Sequence, residues 1–227
     1  MSYENHCYLK NNCKQAHCNA PEGCITKLRF DSLFDQANVE LIHRANQELR
    51  VDDDLRDLEA FKQLQQIQNN ILDFVNSGKQ LYIHSQQVGV GKTSWEFRLI
   101  QAYFKKIYMT TQLGTCRALF ISVPRFLLEL KENITNKSDY IQHIKDNIFT
   151  CDLVVWDDIG TKSASAYEAE NLLSMIDNRI NSGKANIYSS NLNDEELHNF
   201  LGDRLASRIC NLGYNIELVG RDKRQNE

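Results

Sequence analysis

The sequence predicts an α/β fold built around a parallel five-stranded sheet. Three observations support this prediction. Residues 79–227 alternate short β-rich runs with helical patterns, which is typical of parallel strands joined by crossover helices. A glycine-rich stretch connects the first strand to a helix, and two adjacent aspartates follow a later apolar strand. The composition fits a compact domain, with 42% hydrophobic residues and only two prolines.

Length and charge limit the possible function classes. The 227 residues suffice for one large domain, or for a core domain with a small appendage. A net charge of −4 and a pI near 5.9 argue against a constitutively basic nucleic-acid coat, although a local patch could still contact DNA. No apolar run of membrane-spanning length occurs and the N-terminus lacks a signal-peptide core, so we expect a cytoplasmic protein with no membrane contact.

Three zones are expected along the chain: a Cys-rich module at 1–30, a linker or helix at 31–54, and the core at 55–227. Apolar residues recur at three- and four-residue steps from Leu55 to Val75, which predicts a helix with one buried stripe that ends near Gly78. Strands are predicted at 81–84, 118–122, 153–156, 187–189 and 216–219. Helices are predicted at about 92–110, 125–147, 165–182 and 194–211.

A phosphate-binding loop is predicted between the first strand and the following helix. It consists of Gly89, Val90, Gly91, Lys92, Thr93 and Ser94. Glycines let the backbone N–H groups point inward at phosphates, and the helix start adds a partial positive charge. Lys92 would contact the β- and γ-phosphates and Thr93 would bind Mg²⁺. The usual pattern has its first glycine where this chain has Gln86, and an ordinary strand–turn–helix is the alternative.

Two adjacent carboxylates follow the apolar strand 153–156. Open α/β sheets hold ligands at the carboxyl ends of their strands, and carboxylates there suit a hard cation and a water-activating base. We therefore expect Asp157 to hold Mg²⁺ and Asp158 to orient or deprotonate the attacking water. A turn or helix N-cap that uses aspartate side chains is the alternative.

Several later residues are candidates for contacts with nucleotide. Asn191 ends a β-run and could bind the γ-phosphate or the attacking water, or it could cap the next helix. Arg204 and Arg208 are neighbours on one helical face. They could reach the nucleotide of a neighbouring subunit or form surface salt bridges. Arg221 and Arg224 could reach the nucleotide or form a basic tail.

These elements, in this order, resemble the DnaC/DnaI helicase-loader branch of the AAA+ ATPases, including phage-borne versions. The resemblance extends over about residues 55–224, through the motifs VGVGKT, WDDIG, IDNRI, SSNLNDEEL, LGDRLASRI and VGRDKR. It implies an AAA+ P-loop three-layer sandwich that hydrolyses ATP with Mg²⁺ and self-associates. It also implies a protein that binds a hexameric replicative helicase and places it on single-stranded DNA during replication initiation.

The resemblance assigns roles to individual residues. Nucleotide and magnesium would be held by Lys92, Thr93, Asp157 and Asp158. Asn191 matches the sensor-1 position, and Arg224 matches the sensor-2 arginine. Arg208, with Arg204 as the alternative, matches the arginine that acts on a neighbouring subunit, and Arg179 occupies a position where the family also has an arginine. Because three residues follow Arg224, we expect a reduced or absent helical lid.

The N-terminal cysteines predict a metal site. Cys7, Cys13, Cys18 and Cys24 lie in a short polar segment, where four thiolates suit tetrahedral Zn²⁺ and could supply folding energy. An iron–sulfur cluster is a lesser option, and reduced, unliganded cysteines are the alternative. Loaders of the DnaI kind also have a zinc-bound N-terminal module, so the resemblance favours zinc. The remaining cysteines, Cys116, Cys151 and Cys210, are expected to be packing residues.

Basic and aromatic residues in the core region are candidates for DNA contacts. Basic residues such as Arg117 and Arg125 lie among aromatic residues such as Tyr103, Phe104 and Phe126, which fits either a groove for phosphates or solvated helix faces over an aromatic core. Three other functions stay open: an IstB-like transposition helper ATPase, a small-molecule kinase, and an interaction module that binds nucleotide with little turnover.

Overall fold

The computed structural model describes residues 7–9, 23–45, 49, 51, 54–132, 138–160 and 165–223. The strands in these ranges are β1 (Gln80–His84), β2 (Ala118–Ser122), β3 (Leu153–Asp157), β4 (Ala185–Ser190) and β5 (Tyr214–Glu217). The α-helices are α1 (Ile25–Gln36), α2 (Leu55–Asn69), α3 (Ile71–Asn76), α4 (Lys92–Ile107), α5 (Val123–Glu132), α6 (Asp139–Asn147), α7 (Ala166–Asn181), α8 (Asp194–Leu201) and α9 (Asp203–Cys210). A 3-10 turn at Leu41–His43 lies between α1 and α2. Within the described ranges, no helix is both long and apolar enough to cross a bilayer.

The strands form one parallel sheet in the order β2-β3-β4-β1-β5. Leu153 pairs with Ala185, and His84 pairs with Ser190, so β3, β4 and β1 end at nearly the same level. In a parallel sheet the carboxyl ends of the strands lie at one edge. This order therefore brings the segments that follow β1, β3 and β4 side by side.

Two hydrophobic layers cover the faces of the sheet. Along β3, Leu153 and Val155 pack in one layer, and Val154 and Trp156 pack in the other, as the alternation of side chains along a strand requires. The first layer also contains buried residues of α1 to α4, and the second contains those of α5 to α9. The predicted three-layer α/β sandwich with a five-stranded parallel sheet is confirmed.

Two of the predicted long helices are interrupted. The expected helix through 55–78 breaks at Asn70, whose backbone (φ −105°, ψ 29°) leaves the helical region. The helix expected at 194–211 breaks at Gly202 (φ +81°), where glycine adopts a left-handed conformation at low cost. The predicted apolar stripe is also wrong at its start, because Leu55 is 83% exposed. Periodicity predicted the helices but not these breaks, which depend on single backbone conformations.

Two further boundaries differ from the prediction. The helix expected at 125–147 is two helices, since α5 ends at Glu132 and α6 begins at Asp139. Ser138 caps α6 by accepting a hydrogen bond from the Ile141 amide at 3.3 Å. Strand β5 begins two residues before its predicted position, because Tyr214 to Glu217 pair in register with Leu81 to His84 of β1. Leu218 is buried, but it packs beyond the end of the strand.

Arg179 is completely buried at the amino-terminal end of β3 and β4. Its guanidinium donates to the carbonyls of Ile148 (2.5 Å), Cys151 (3.1 Å) and Ala185 (2.7 Å). It also donates to Asn186 Oδ1 at 2.7 Å. These contacts hold α7 to the loops that enter β3 and β4.

Candidate nucleotide-binding site

A cleft of about 500 Å³ lies at the carboxyl edge of the sheet, within the usual range for ligand pockets, roughly 300–1,000 Å³. Its lining includes the loop and helix start 88–95 and the ends of β3 and β4. Three more distant residues also line it: His43, Leu49 and Lys223. The expected phosphate loop therefore faces the expected acidic strand end across one cavity.

The loop after β1 has the conformation that its glycines permit. Gly89 (φ +77°) and Gly91 (φ +104°) both adopt left-handed backbones, and α4 begins directly after Gly91. A Cβ atom on Gly89 would lie 1.8 Å from Asp222 Oδ1, so a side chain here would displace the Asp222 carboxylate and would also strain the left-handed backbone. Since the N-terminus of α4 lines the cleft, its amides and its dipole favour an anion there.

Gln86 occupies the position where the usual loop pattern has glycine. Asn38 and Asp158 are the non-glycine residues with positive φ in the described part of the chain, so the backbone at Gln86 does not require glycine. Its side chain is exposed and donates to Glu196 Oε1 at 3.2 Å. The departure from the pattern is therefore accommodated at the loop entry without distortion of the turn at Gly89 and Gly91.

Thr93 and Asp157 meet at the end of β3. The Thr93 hydroxyl donates to Asp157 Oδ1 at 3.1 Å, and the Ser189 hydroxyl donates to the same oxygen at 3.0 Å. A hydroxyl and a carboxylate are oxygen ligands of the kind that Mg²⁺ prefers. The pair fits magnesium, which would neutralise phosphate charge when bound there.

Lys92, Asn191 and Asp158 form a hydrogen-bonded chain across the cleft. Lys92 Nζ donates to Asn191 Oδ1 at 2.7 Å, and Asn191 Nδ2 donates to Asp158 Oδ1 at 3.1 Å. Asp158 has φ +62°, and its amide donates to Ser189 Oγ at 3.0 Å. Aspartate tolerates this left-handed backbone better than most residues, and such strain is concentrated at functional sites. The structure thus brings these three predicted residues into direct contact.

Residues 60–217, more than half of the chain, match the bacterial DnaA ATPase domain family. The chain belongs to this family. The replicative helicase loader DnaC of Escherichia coli K12 is 22% identical over 187 residues, which cover 80% of this chain and 70% of DnaC. The crystal structure of the DnaC helicase loader matches with a TM-score of 0.60 at 19% identity, covering 78% of this chain and 96% of that one. The crystal structure of DnaI also matches with a TM-score of 0.60, at 21% identity, covering 86% and 100%.

These similarities confirm the resemblance to the DnaC/DnaI loaders and the AAA+ P-loop fold. The match to the DnaA ATPase domain family extends over the predicted phosphate loop and acidic strand end and indicates an ATP-binding P-loop NTPase. The DnaA-family domain of this chain presents a glycine loop, a helix N-terminus and a Thr93–Asp157 pair at one cleft. These groups fit a magnesium-bound nucleoside triphosphate.

Glu96 is a buried carboxyl beneath the DnaA-family site that the sequence did not single out. It is 0% exposed, and its carboxyl group lies close to the side chains of Asp157 and Ser189. Burial, followed by the negative charge of Asp157, raises its pKa well above the ordinary value. An available signal was its place one turn after Lys92, between the apolar residues Trp95 and Phe97 of α4.

The candidate arginines lie apart from the cleft. Arg208 Nε donates to Asp177 Oδ1 at 2.6 Å, and Arg204 Nη2 approaches Asp177 Oδ2 at 3.4 Å. Both are accessible, with 40% and 74% of their side chains exposed. The carboxylate on α7 thus holds two arginines of α9 at the surface. Arg221 is exposed, and Arg224 lies outside the described residues.

The cysteine predictions divide into two groups. Cys7 and Cys24 are half-buried free thiols, whereas Cys13 and Cys18 lie outside the described residues. No cluster of three or more potential metal ligands occurs within the described ranges, so the zinc expectation stays a prediction. Buried positions confirm the packing role of Cys116, Cys151 and Cys210.

The aromatic residues considered for DNA contact belong to the core. Tyr103, Phe104 and Phe126 are almost fully buried. Arg117 pairs with Asp152 at 2.6 Å, and Arg125 pairs with Glu129 at 2.7 Å. Of the two interpretations left open by the sequence, the burial of these three aromatic side chains supports helix faces over an aromatic core.

Proposed function

We propose that this DnaA-family domain is an ATPase that loads a hexameric replicative helicase onto single-stranded DNA, and that it acts as a self-associated assembly. The observation that supports it best is the contact chain from Lys92 through Asn191 to Asp158, beside the Thr93–Asp157 pair. Loading is proposed from the similarity to DnaC and DnaI.

Each residue of the site has a separate role in the proposed reaction. Lys92 and the amides of residues 89–93 bind and orient the phosphates. Thr93 and Asp157 hold Mg²⁺. Asp158 accepts a proton from the attacking water or orients it, and Asn191 fixes the direction of the Asp158 carboxylate through its amide. Arg208 or Arg204 stabilises charge on the phosphates of a neighbouring subunit.

The nucleotide part of the proposal is tested by titration calorimetry with Mg–ATP and by phosphate release. Lys92→Ala removes the charge that faces the phosphates, so binding is expected to fall below detection and hydrolysis to stop. Lys106→Ala is the matched control, because Lys106 lies on the same helix but is exposed to solvent. Equal nucleotide affinity in wild type and Lys92→Ala would refute the site.

The loading part needs a separate measurement. The chain is mixed with the hexameric replicative helicase of its own cell, ATP and circular single-stranded DNA, and DNA-bound helicase is counted after gel filtration. We expect loading with the wild type, loss with Lys92→Ala and retention with Lys106→Ala. ATP hydrolysis without helicase binding would instead favour a transposition helper, and nucleotide binding without turnover would favour an interaction module.

A further inference from the structure

A segment at residues 218–223, here called the C-terminal clasp, runs along the phosphate loop. The Leu218 amide donates to the His84 carbonyl at 2.8 Å, where β1 ends. The Gly220 amide then donates to Gln87 Oε1 at 3.1 Å, and the Lys223 amide donates to the Gly89 carbonyl at 2.9 Å. The clasp therefore follows the loop from its entry to its first glycine.

The contact at Gly89 is close. The Asp222 carboxylate occupies the space that a Cβ atom on Gly89 would take, at 1.8 Å. The clasp therefore packs directly against Gly89, whose left-handed backbone (φ +77°) forms part of the loop. Any movement of the clasp changes what packs against the loop that faces the phosphates.

A buried ion pair anchors the far end of the clasp. Lys223 Nζ lies 2.9 Å from Asp57 Oδ2 on the first turn of α2, and the side chains are 13% and 2% exposed. Two buried charges are stable only as a well-matched pair, so removal of either charge weakens the contact that holds this end of the clasp. The pair joins residues 166 positions apart in the sequence.

We propose that Asp57 and Lys223 are positioning residues for nucleotide binding: their ion pair holds the clasp against Gly89 and keeps the phosphate loop in its binding conformation. The inference rests on the proposed function and adds residues outside the recognised loop motif. Lys223 also lines the cleft, so direct contact with phosphate is the competing explanation.

The two explanations differ in the effect of Asp57→Asn. In the clasp mechanism, loss of either charge loosens the loop. The apparent affinity then equals the intrinsic affinity multiplied by the fraction of time that the loop is in its binding conformation. A loop that is competent a tenth of the time loses about tenfold in affinity. In direct contact, Asp57→Asn frees the Lys223 charge and leaves affinity equal or higher.

The experiment measures Mg–AMPPNP dissociation constants by titration calorimetry at a temperature where every variant is folded. We expect about tenfold weaker binding for Asp57→Asn and for Lys223→Met, and the same loss in the double variant, because the two residues act as one unit. Lys223→Arg is expected to bind nearly as the wild type does. Faster amide exchange at residues 86–91 in both single variants provides a second readout.

Asp73→Asn is the matched control, because it removes a carboxylate from an exposed Lys79–Asp73 pair of 2.8 Å. Unchanged affinity in Lys223→Met overturns the inference, as does equal or tighter binding in Asp57→Asn, while the proposed function stands in both cases. Absence of Mg–AMPPNP binding in the wild type overturns both. If Asp57→Asn fails to fold, amide exchange at residues 86–91 in nucleotide-free Lys223→Met decides: faster exchange supports the clasp mechanism, and unchanged exchange overturns it.

Discussion

Replacement of Arg179 by methionine tests whether its buried hydrogen bonds stabilise the fold. Methionine retains much of the apolar stem of arginine but has no N–H donor. In the native chain, three buried carbonyls, those of Ile148, Cys151 and Ala185, accept from this guanidinium. The variant removes these donors together at the amino-terminal end of β3 and β4.

The expected loss of stability follows from those contacts. A buried carbonyl that loses its partner costs about 1–3 kcal/mol. For three carbonyls the unfolding free energy should fall by at least about 3 kcal/mol, a large part of the roughly 5–15 kcal/mol of a typical domain. Some of this loss is offset because the buried guanidinium no longer has to be desolvated.

Urea unfolding followed by circular dichroism measures the effect. The midpoint of Arg179→Met should fall while the slope with urea stays unchanged. The control is Arg204→Met, because that side chain is 74% exposed and its pair with Asp177 spans 3.4 Å. Such a surface pair contributes about 0–1 kcal/mol. A change below about 1 kcal/mol in Arg179→Met would show that the carbonyls find other partners.

Burial raises the pKa of Glu96, so the folded chain retains a proton that the unfolded chain releases. Its contribution to stability therefore declines as pH rises above the ordinary pKa. Glu96→Gln should remove this decline, and parallel wild-type and variant melting profiles between about pH 5 and pH 8 would contradict it. Asp158→Asn should retain nucleotide affinity but lower turnover by at least about 100-fold, as expected for a lost base; normal phosphate release would exclude that role. Arg208→Ala should spare nucleotide binding and lower turnover by at least about tenfold at concentrations where the chain self-associates. Equal turnover would show that Arg208 does not act on the nucleotide of a neighbouring subunit. If the four N-terminal cysteines bind zinc, elemental analysis should find about one metal per chain, lost on Cys→Ser change at Cys13 or Cys18.

The sequence predicted which segments meet at the cleft because each of these segments is a local motif. Each part is a short motif at the end of one strand: the loop after β1, Asp157 and Asp158 after β3, and Asn191 after β4. A parallel sheet places such strand ends at one edge. Once β1, β3 and β4 are neighbours, convergence of these motifs follows from strand geometry.

Sequence periodicity was less informative about boundaries and burial. It predicted a helix through Asn70 and another through Gly202, where single backbone conformations interrupt them. It also placed Leu55 on a buried stripe although this side chain is 83% exposed. A hydrophobic pattern records which face of an element is apolar, but not where a neighbouring element stops covering it.

The sequence by itself therefore determined the fold class, the phosphate loop and the acidic strand end, because these depend on residue type and spacing along a few residues. Only the tertiary structure decided that Arg179 is a buried donor, that Glu96 is sealed beneath Asp157, and that Lys223 reaches Asp57. These features join segments far apart in the chain. Their burial and partners arise from packing of the layers, which no local pattern of residues records.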